Sequence, residues 1–212
     1  MAYSNPMWVY PGLSRSVGRP RYDADSGDLA TLRVVLGFQD AYTRGHARRV
    51  AAYSQRIAAR LGLSAETTQS LRLGGLLHDI GKVAFSPELL NNTRARLTPA
   101  RRAEIQRHPE IGGHFLKAIR VAQPVIDCVC YHHERLDGSG YPFGLKAAEI
   151  PLGARIISVA DCFDALTTDR SYQKRRTTAE ALAILDGLGD GSLPREFVAE
   201  LILDVRENGL QR

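Results

Sequence analysis

Apolar residues recur with a helical period along most of this chain. From about Asp28 onward they return every three to four positions, and no stretch shows the one-in-two alternation of a half-buried strand. Residues that typically begin helices precede the apolar runs. These start signals are Ser64, Ser86 with Pro87, Thr98 with Pro99, and Thr177 with Glu180 three residues later. The pattern predicts an all-α helical bundle.

The first 27 residues lack this period. They contain several helix-breaking residues, namely Pro6, Pro11, Gly12, Gly18, Pro20 and Gly27. Such a composition predicts an irregular leader or linker over residues 1–27. The remainder, residues 28–212, is expected to form one domain, because 44% hydrophobic and 24% charged residues suit a single globular core of this length.

Charge and cysteine content restrict the classes of function. The net charge of +5 is compatible with an anionic ligand, but the arginines are scattered and lack interleaved aromatic residues, so no polynucleotide partner is expected. Cys128, Cys130 and Cys162 form no CxxC pair and are expected to be reduced thiols. No apolar run approaches the roughly 20 residues that a bilayer helix needs. We therefore expect no membrane span and a cytoplasmic location.

Histidine and aspartate residues form a dispersed set that can bind metal. The set comprises His46, the pair His78 and Asp79, His108, the pair His132 and His133, and Asp161. Imidazole nitrogens and carboxylates are ligands for borderline divalent metals, and this set exceeds what one ion can bind if all members converge. The first hypothesis is therefore a site with at least two metals. His114 fits no motif and is expected to be structural or on the surface.

Helical spacing places several of these residues in the interior. His46 shares a face with apolar residues four, seven and eleven positions later, and His78 lies near the C-terminal end of the next helix. Asp161 lies on an apolar stripe, where an unpaired carboxylate is costly and a cation is expected. Taken alone, His46 or His108 is more often a hydrogen-bonded core residue than a ligand. The set as a whole favours metal binding, because so many inward polar groups are hard to satisfy otherwise.

Four motifs occur in an order and at separations that resemble a known family. They are HDIGK at 78–82, RHPEIG at 107–112, HHERLDGSGYP at 132–142 and ARIISVADCFDALTTDRSY at 154–172. The chain resembles the HD-GYP subgroup of the HD-domain metal-dependent phosphohydrolases, from about residue 30 to 205. The resemblance implies an HD-domain helical bundle with an HD-GYP C-terminal extension. It also implies a bacterial signalling hydrolase that converts cyclic di-GMP to pGpG, sometimes on to GMP, with iron or manganese.

The resemblance also assigns the metal ligands. His46, His78, Asp79 and Asp161 are expected to bind one ion, and Asp79, His108, His132 and His133 the other. Asp79 is then the bridging ligand. Members with a third metal have a glutamate four residues before the first histidine, whereas this chain has Tyr42 there. We therefore expect two divalent ions, Fe or Mn.

The expected chemistry follows from two adjacent cations. A water held between two such ions would be hydroxide near neutral pH and would attack the phosphorus in line, so no protein nucleophile would be required. Lys82 is expected to neutralise charge on the phosphoryl group, with a surface lysine as the alternative. Asp164 is carried over with Asp79 as an active-site carboxylate, and it is expected to orient Lys82 or a water.

The same resemblance indicates substrate contacts. Gly140 and Tyr141 in the DGSGYP loop are expected at the lip of the substrate site and in contacts with diguanylate cyclase domains. The alternative is a rigid turn that only holds the two adjacent histidines. Arg170 is expected to approach phosphate or guanine. Gln173 stands where the family often has a basic residue, and Lys174 comes one place late.

Three functions are compared. The leading one is a cyclic di-GMP phosphodiesterase. The second is an HD phosphohydrolase for a related cyclic dinucleotide such as cyclic GMP-AMP, since the motifs do not encode base selectivity. The third is a catalytically inert cyclic-dinucleotide sensor or interaction module. Because only a short leader precedes the helical region, the input signal is attributed to a sensory partner protein. The sequence leaves the oligomeric state open, with a homodimer as one option.

Overall fold

The computed structural model describes residues 41–90, 98–169, 174–189 and 191–210, with side chains from Arg44 onward. Within these ranges every regular element is a helix, which confirms the predicted all-α class. The predicted leader lies outside the described residues, and so do Arg170 and Gln173. The boundary between leader and domain therefore stays a prediction.

The described residues form nine α-helices and two short 3₁₀ helices. The α-helices are α1 (Ala41–Arg60), α2 (Ala65–Leu77), α3 (Pro87–Leu90), α4 (Pro99–Ile105), α5 (His108–Ala118), α6 (Gln123–Tyr131), α7 (Leu152–Thr167), α8 (Thr178–Leu188) and α9 (Arg195–Asn208). The 3₁₀ helices span Ile80–Ala84 and Ala147–Glu149.

The predicted start signals are confirmed by the caps. The hydroxyl groups of Ser64 and Thr98 accept backbone N–H bonds at the starts of α2 and α4. Thr177 and Glu180 form the predicted capping box of α8. The short helix α3 begins at Pro87, directly after Ser86. These elements therefore begin where local side-chain chemistry favours a helix.

Two hydrophobic clusters form the core of the described residues. The larger one joins α1 with α7, α8 and α9, and the rings of Tyr53 and Phe163 meet in it edge to face with centroids 5.2 Å apart. The smaller one joins α2, α5 and α6 around Leu77, Leu116 and Val129. Helices α2 and α6 contribute to both clusters. Each of them is followed by a histidine, which places those side chains where the two clusters meet.

The turn after α2 is pressed against the start of α5. A Cβ atom at Gly81 would lie 2.0 Å from the carbonyl oxygen of His108, so only glycine fits at this position. This close approach brings Asp79, two residues before Gly81, next to the His108 ring. The glycine of the HDIGK motif is thus required for the close contact between Asp79 and His108.

Other predictions on composition can be compared with the fold. Cys128 is buried, and burial together with the charge of Asp127 raises the pKa of its thiol to about 12. Among the described residues, Cys130 and Cys162 also form no disulfide. His114 is exposed, as expected for a residue outside the motifs. No helix in the described ranges has the length and apolar character that crossing a membrane requires.

Candidate metal centre

The predicted ligands converge into one centre with two halves. The first half contains His46 on α1, His78 and Asp79 after α2, and Asp161 on α7. The Nε2 atom of His46 lies 3.1 Å from Nε2 of His78, 3.3 Å from Oδ1 of Asp161 and 3.9 Å from Oδ2 of Asp79. Four residues from three separate chain segments therefore surround one small volume.

The second half contains Asp79, His108, His132 and His133. All four offer ligand atoms within 4.8 Å of one another. Oδ1 of Asp79 lies 3.2 Å from Nε2 of His108, while its Oδ2 faces the first half at 3.6 Å from Nε2 of His78. Asp79 is thus shared by both halves, with one carboxylate oxygen directed to each.

Three histidines in the centre are oriented by backbone carbonyls. His78, His108 and His132 each donate Nδ1–H to the carbonyl oxygen three residues earlier, at 2.8 Å in every case. A carbonyl oxygen can only accept, so the proton resides on Nδ1 and the Nε2 lone pair points into the centre. The helix ends themselves therefore fix both the direction and the tautomer of these rings.

His46 is oriented by a side chain instead. Its Nδ1 donates to Oδ2 of Asp164 at 2.7 Å, and Asp164 accepts from Nε of Arg49 at 2.5 Å. Lys82, the predicted partner of Asp164, pairs with Asp79. The Asp164 carboxylate thus contacts groups on α1 and not Lys82, while the alternative role, orienting a water, stays a prediction.

The arrangement leaves acceptor atoms facing acceptor atoms. With each Nδ1–H engaged outside the centre, the Nε2 lone pairs of His46 and His78 face each other, and those of His108 and His132 do so at 3.4 Å. Oδ1 of Asp79 is buried and has no hydrogen-bond donor among the described residues. Buried acceptors without donors are unfavourable unless a cation lies between them. The donor set of imidazoles and carboxylates fits divalent transition metals.

The charge states of the histidines suit metal binding. Burial lowers the pKa of His78 and lowers the pKa values of His132 and His133 strongly, so these rings are neutral at neutral pH. Burial would also lower the pKa of His46, but its hydrogen bond to Asp164 and the nearby carboxylates raise it overall. A metal ion must therefore displace a proton more often at His46 than at the other rings.

Lys82 lies at the opening of the centre. Its Nζ atom is 2.6 Å from Oδ2 of Asp79, and its side chain is 34% exposed. Burial would raise the pKa of Asp79, but the Lys82 ammonium, followed by the neighbouring rings of His78 and His108, holds it well below its usual value. Asp79 is therefore ionised, and the Lys82 ammonium can reach both the centre and solvent.

The DGSGYP loop covers the second half. The ring of Tyr141 lies against His133 with centroids 4.6 Å apart and planes inclined by 30°. Its backbone N–H donates to the His133 carbonyl at 3.2 Å. A Cβ atom at Gly140 would lie 2.5 Å from Cα of Glu134, so glycine lets the loop fold back onto the histidine segment. This contact explains the glycine without a substrate, and the predicted substrate contacts of Gly140 and Tyr141 stay predictions.

Glu134 and Arg49 were missed by the sequence analysis. Glu134 is buried, and its two carboxylate oxygens accept the backbone N–H groups of Phe143 at 2.7 Å and Leu145 at 3.0 Å. It therefore fastens the end of the DGSGYP loop to the helix that carries His132. Its position directly after the two histidines was an available signal. For Arg49, the signal was its spacing of one helical turn from His46.

Comparison with known proteins identifies the family. The HD domain family matches residues 35–190. This chain belongs to the HD domain family. It is 40% identical over 169 residues to a cyclic di-GMP phosphodiesterase of Pseudomonas aeruginosa. The aligned region covers 78% of this chain and 41% of that protein. It is 38% identical over 151 residues to 3'3'-cGAMP-specific phosphodiesterase 1 of Vibrio cholerae, with 71% and 35% covered.

The fold of this HD-domain chain also matches solved structures. An HDG"Y"P protein from Bdellovibrio bacteriovorus superimposes with a TM-score of 0.66 at 27% identity, covering 84% of this chain and 57% of that one. The predicted HD fold and membership of the HD-GYP group are thus confirmed. The chain spans less than half the length of the two curated relatives named above.

Proposed function

We propose that this HD-domain chain is a cyclic di-GMP phosphodiesterase that hydrolyses its substrate to pGpG, with GMP as a further product. The observation that carries the proposal is the pair of ligand groups that share Asp79, with lone pairs converging and no donor between them. The name of the 40% identical Pseudomonas relative supports the substrate class.

The proposed cofactors are two divalent ions, Fe or Mn. One is assigned to His46, His78, Asp79 and Asp161, and the other to Asp79, His108, His132 and His133. The geometry supports two ions, because each half offers its own group of ligand atoms and only Asp79 belongs to both. Mixed imidazole and carboxylate ligands suit either metal.

Bound divalent ions supply Lewis-acid activation of water and of phosphoryl oxygens. The chain's own residues then position the substrate. Lys82, half-buried at the opening, contacts a non-bridging phosphate oxygen and neutralises charge that develops there. Burial raises the pKa of Tyr141, so its hydroxyl stays protonated and can donate a hydrogen bond to substrate. Arg170 is proposed as a further phosphate or guanine contact.

Cyclic GMP-AMP is the second candidate substrate. The 38% identical relative from Vibrio cholerae is named for that dinucleotide, which makes the alternative specific. The metal centre acts on the phosphodiester that both dinucleotides share, so it does not distinguish them. An inert sensor is less well supported, because all seven predicted ligands lie in one centre.

The proposal is tested by metal content and hydrolysis measured on the same preparation. Protein purified without oxygen is analysed for metal per chain, then incubated with cyclic di-GMP and cyclic GMP-AMP, separately and in competition, with chromatographic detection of products. Two ions and preferential formation of pGpG support the proposal. Faster hydrolysis of cyclic GMP-AMP would identify that dinucleotide as the substrate. Two bound ions with tight binding of a dinucleotide and no cleavage would indicate a sensor.

We further infer a protein partner at the DGSGYP loop, either a diguanylate cyclase or a sensory protein. Phe143, directly after this loop, is 43% exposed, and its ring lies beside that of Tyr131 with centroids 5.6 Å apart. Exposed aromatic residues are frequent contacts in protein interfaces. Binding of a purified cyclase domain to wild type and to Phe143→Ser tests this inference, and sedimentation of the chain alone tests for a homodimer.

A further inference from the structure

We propose that Arg49 is a positioning residue for the first half of the centre, acting through Asp164 on His46. The inference rests on the proposed metal site. Arg49 is not itself a proposed metal ligand, but it contacts the carboxylate that orients the ligand His46.

Arg49 donates hydrogen bonds to both oxygens of the Asp164 carboxylate. Its Nε donates to Oδ1 at 2.5 Å and its Nη2 to Oδ2 at 3.1 Å. The Asp164 side chain is 1% exposed, and the Arg49 side chain is 23% exposed. A bidentate guanidinium–carboxylate pair fixes the plane of the carboxylate as well as its position.

The fixed carboxylate in turn directs His46. Oδ2 of Asp164 accepts Nδ1–H of His46 at 2.7 Å, on the side of the ring opposite the centre. A rotation of the carboxylate would lengthen this bond or tilt the ring, and would displace Nε2 from its position 3.3 Å from Asp161. Groups that orient a metal-ligating histidine in this way strongly affect metal affinity.

The Arg49–Asp164 pair is also tied to the end of α7. Nη2 of Arg49 lies 3.4 Å from Oγ1 of Thr168, and that hydroxyl donates to the Asp164 carbonyl oxygen at 2.7 Å. The arginine on α1 is therefore linked to the side chain of Asp164 and to the turn that follows it. Arg49 therefore connects α1, which carries His46, to α7, which carries the acceptor Asp164.

His46 differs here from the other oriented histidines of the centre. His78, His108 and His132 use carbonyl oxygens of their own chain segment, which cannot move without unwinding a helix end. His46 depends on a side chain from a helix 118 residues away in sequence. A movable acceptor needs a support of its own, and Arg49 supplies it.

The test compares Mn²⁺ affinity in variants where only one half of the centre remains. Asp161→Asn impairs the first half, and His133→Gln impairs the second. Arg49→Met is added to each, and affinity for Mn²⁺ is measured by competition with a chelator. In the His133→Gln background we expect affinity to fall about 10- to 100-fold. In the Asp161→Asn background it should stay within about twofold, because the second half is oriented by backbone carbonyls.

Two further substitutions provide controls. Arg49→Lys can still donate to Asp164 but not bidentately, so its loss of affinity should be smaller. Arg48→Met removes the same charge at an exposed position on the same helix and should change nothing. A general structural role for Arg49 would instead weaken both halves together and lower the unfolding temperature of the metal-free protein in parallel.

A double-variant cycle tests the route through Asp164. Asp164→Ala alone should weaken the first half, and Arg49→Met should add no further loss in that background. Additive losses would overturn the proposal, and so would unchanged affinity in Arg49→Met. If Arg49→Met does not fold, Arg49→Lys with and without Asp164→Ala gives the same decision. A wild-type chain that binds neither Mn²⁺ nor Fe²⁺ would overturn the proposed function as well, which separates the two failures.

Discussion

The two halves of the centre differ in that the first contains a histidine oriented by a side chain, His46, beside one oriented by the backbone, His78. In the second half, His108 and His132 are oriented by backbone carbonyls at helix ends. In the first half, His46 is oriented by Asp164, which is itself held by Arg49. Backbone orientation follows from helix formation alone. Side-chain orientation can be altered by a single substitution that leaves the helices intact.

The halves also differ in charge. The first half has two ionised carboxylates, Asp79 and Asp161, with Asp164 behind His46. Burial would raise the pKa of Asp161, but the nearby histidines lower it to about 2. The second half has Asp79 as its carboxylate among three histidines. The first half is therefore better suited to an oxygen-preferring ion such as Mn²⁺, and the second to a nitrogen-preferring one.

Loss of the shared ligand should abolish the difference between the halves. Asp79→Ala removes the carboxylate that directs one oxygen to each half, at 3.6 Å from His78 and 3.2 Å from His108. We expect metal content to fall from two ions per chain to none, and hydrolysis to fall below detection. Elemental analysis and product chromatography measure both. Asp186→Ala, an exposed aspartate on α8, is the matched control; a full metal complement in Asp79→Ala would refute the ligand assignment.

Loss of a ligand that belongs to one half should remove the ion of that half and leave the other ion bound. Asp161→Asn and His133→Gln are each expected to leave one ion per chain, with hydrolysis lowered at least about 100-fold because two adjacent ions are needed. The half that remains should bind Mn²⁺ more tightly in His133→Gln, where both carboxylates of the first half are kept. Equal metal preference in the two variants would contradict the difference in charge.

Release of the DGSGYP loop should affect the second half alone. Glu134→Ala leaves the N–H groups of Phe143 and Leu145 without their acceptors, which costs roughly 1–3 kcal/mol of stability. The Tyr141 ring then packs less firmly on His133, so we expect weaker metal binding in the second half and an unchanged first half. Hydrogen exchange of the two amides and the unfolding free energy measure the effect. Glu104→Ala, exposed on α4, is the control.

Local features of this fold and site could be predicted from the sequence. Helix starts depend on a residue and its neighbour three positions on, as at Thr177 and Glu180. The ligand types were visible because histidine and aspartate are rare at inward positions. The partner of Asp164 was not predictable in this way, because Arg49 lies 115 residues earlier and meets it only when α1 and α7 pack. Helical periodicity reports which face is buried, but not which helix it is buried against.

The smallest expected effect concerns protonation of the metal-free protein. The raised pKa of His46 stabilises the folded state below the unfolded value of 6.5, and this stability is lost as the pH rises through the folded value. The lowered pKa values of His78, His132 and His133 act in the opposite direction. Their contribution is present above 6.5 and is lost as the pH falls through the folded values.

The two contributions can be separated by removing the acceptor of His46. In Asp164→Ala the hydrogen bond that raises the His46 pKa is absent, so His46 should titrate at lower pH than in wild type. Stability of the metal-free variant should then decline more steeply between pH 7 and pH 5, since His46 opposes the effect of the lowered pKa values of His78, His132 and His133 less than in wild type. NMR titration of the imidazole resonances and denaturant unfolding at each pH measure this. An unchanged His46 titration in Asp164→Ala would show that Asp164 does not hold His46, and the distinction between the two halves would fail.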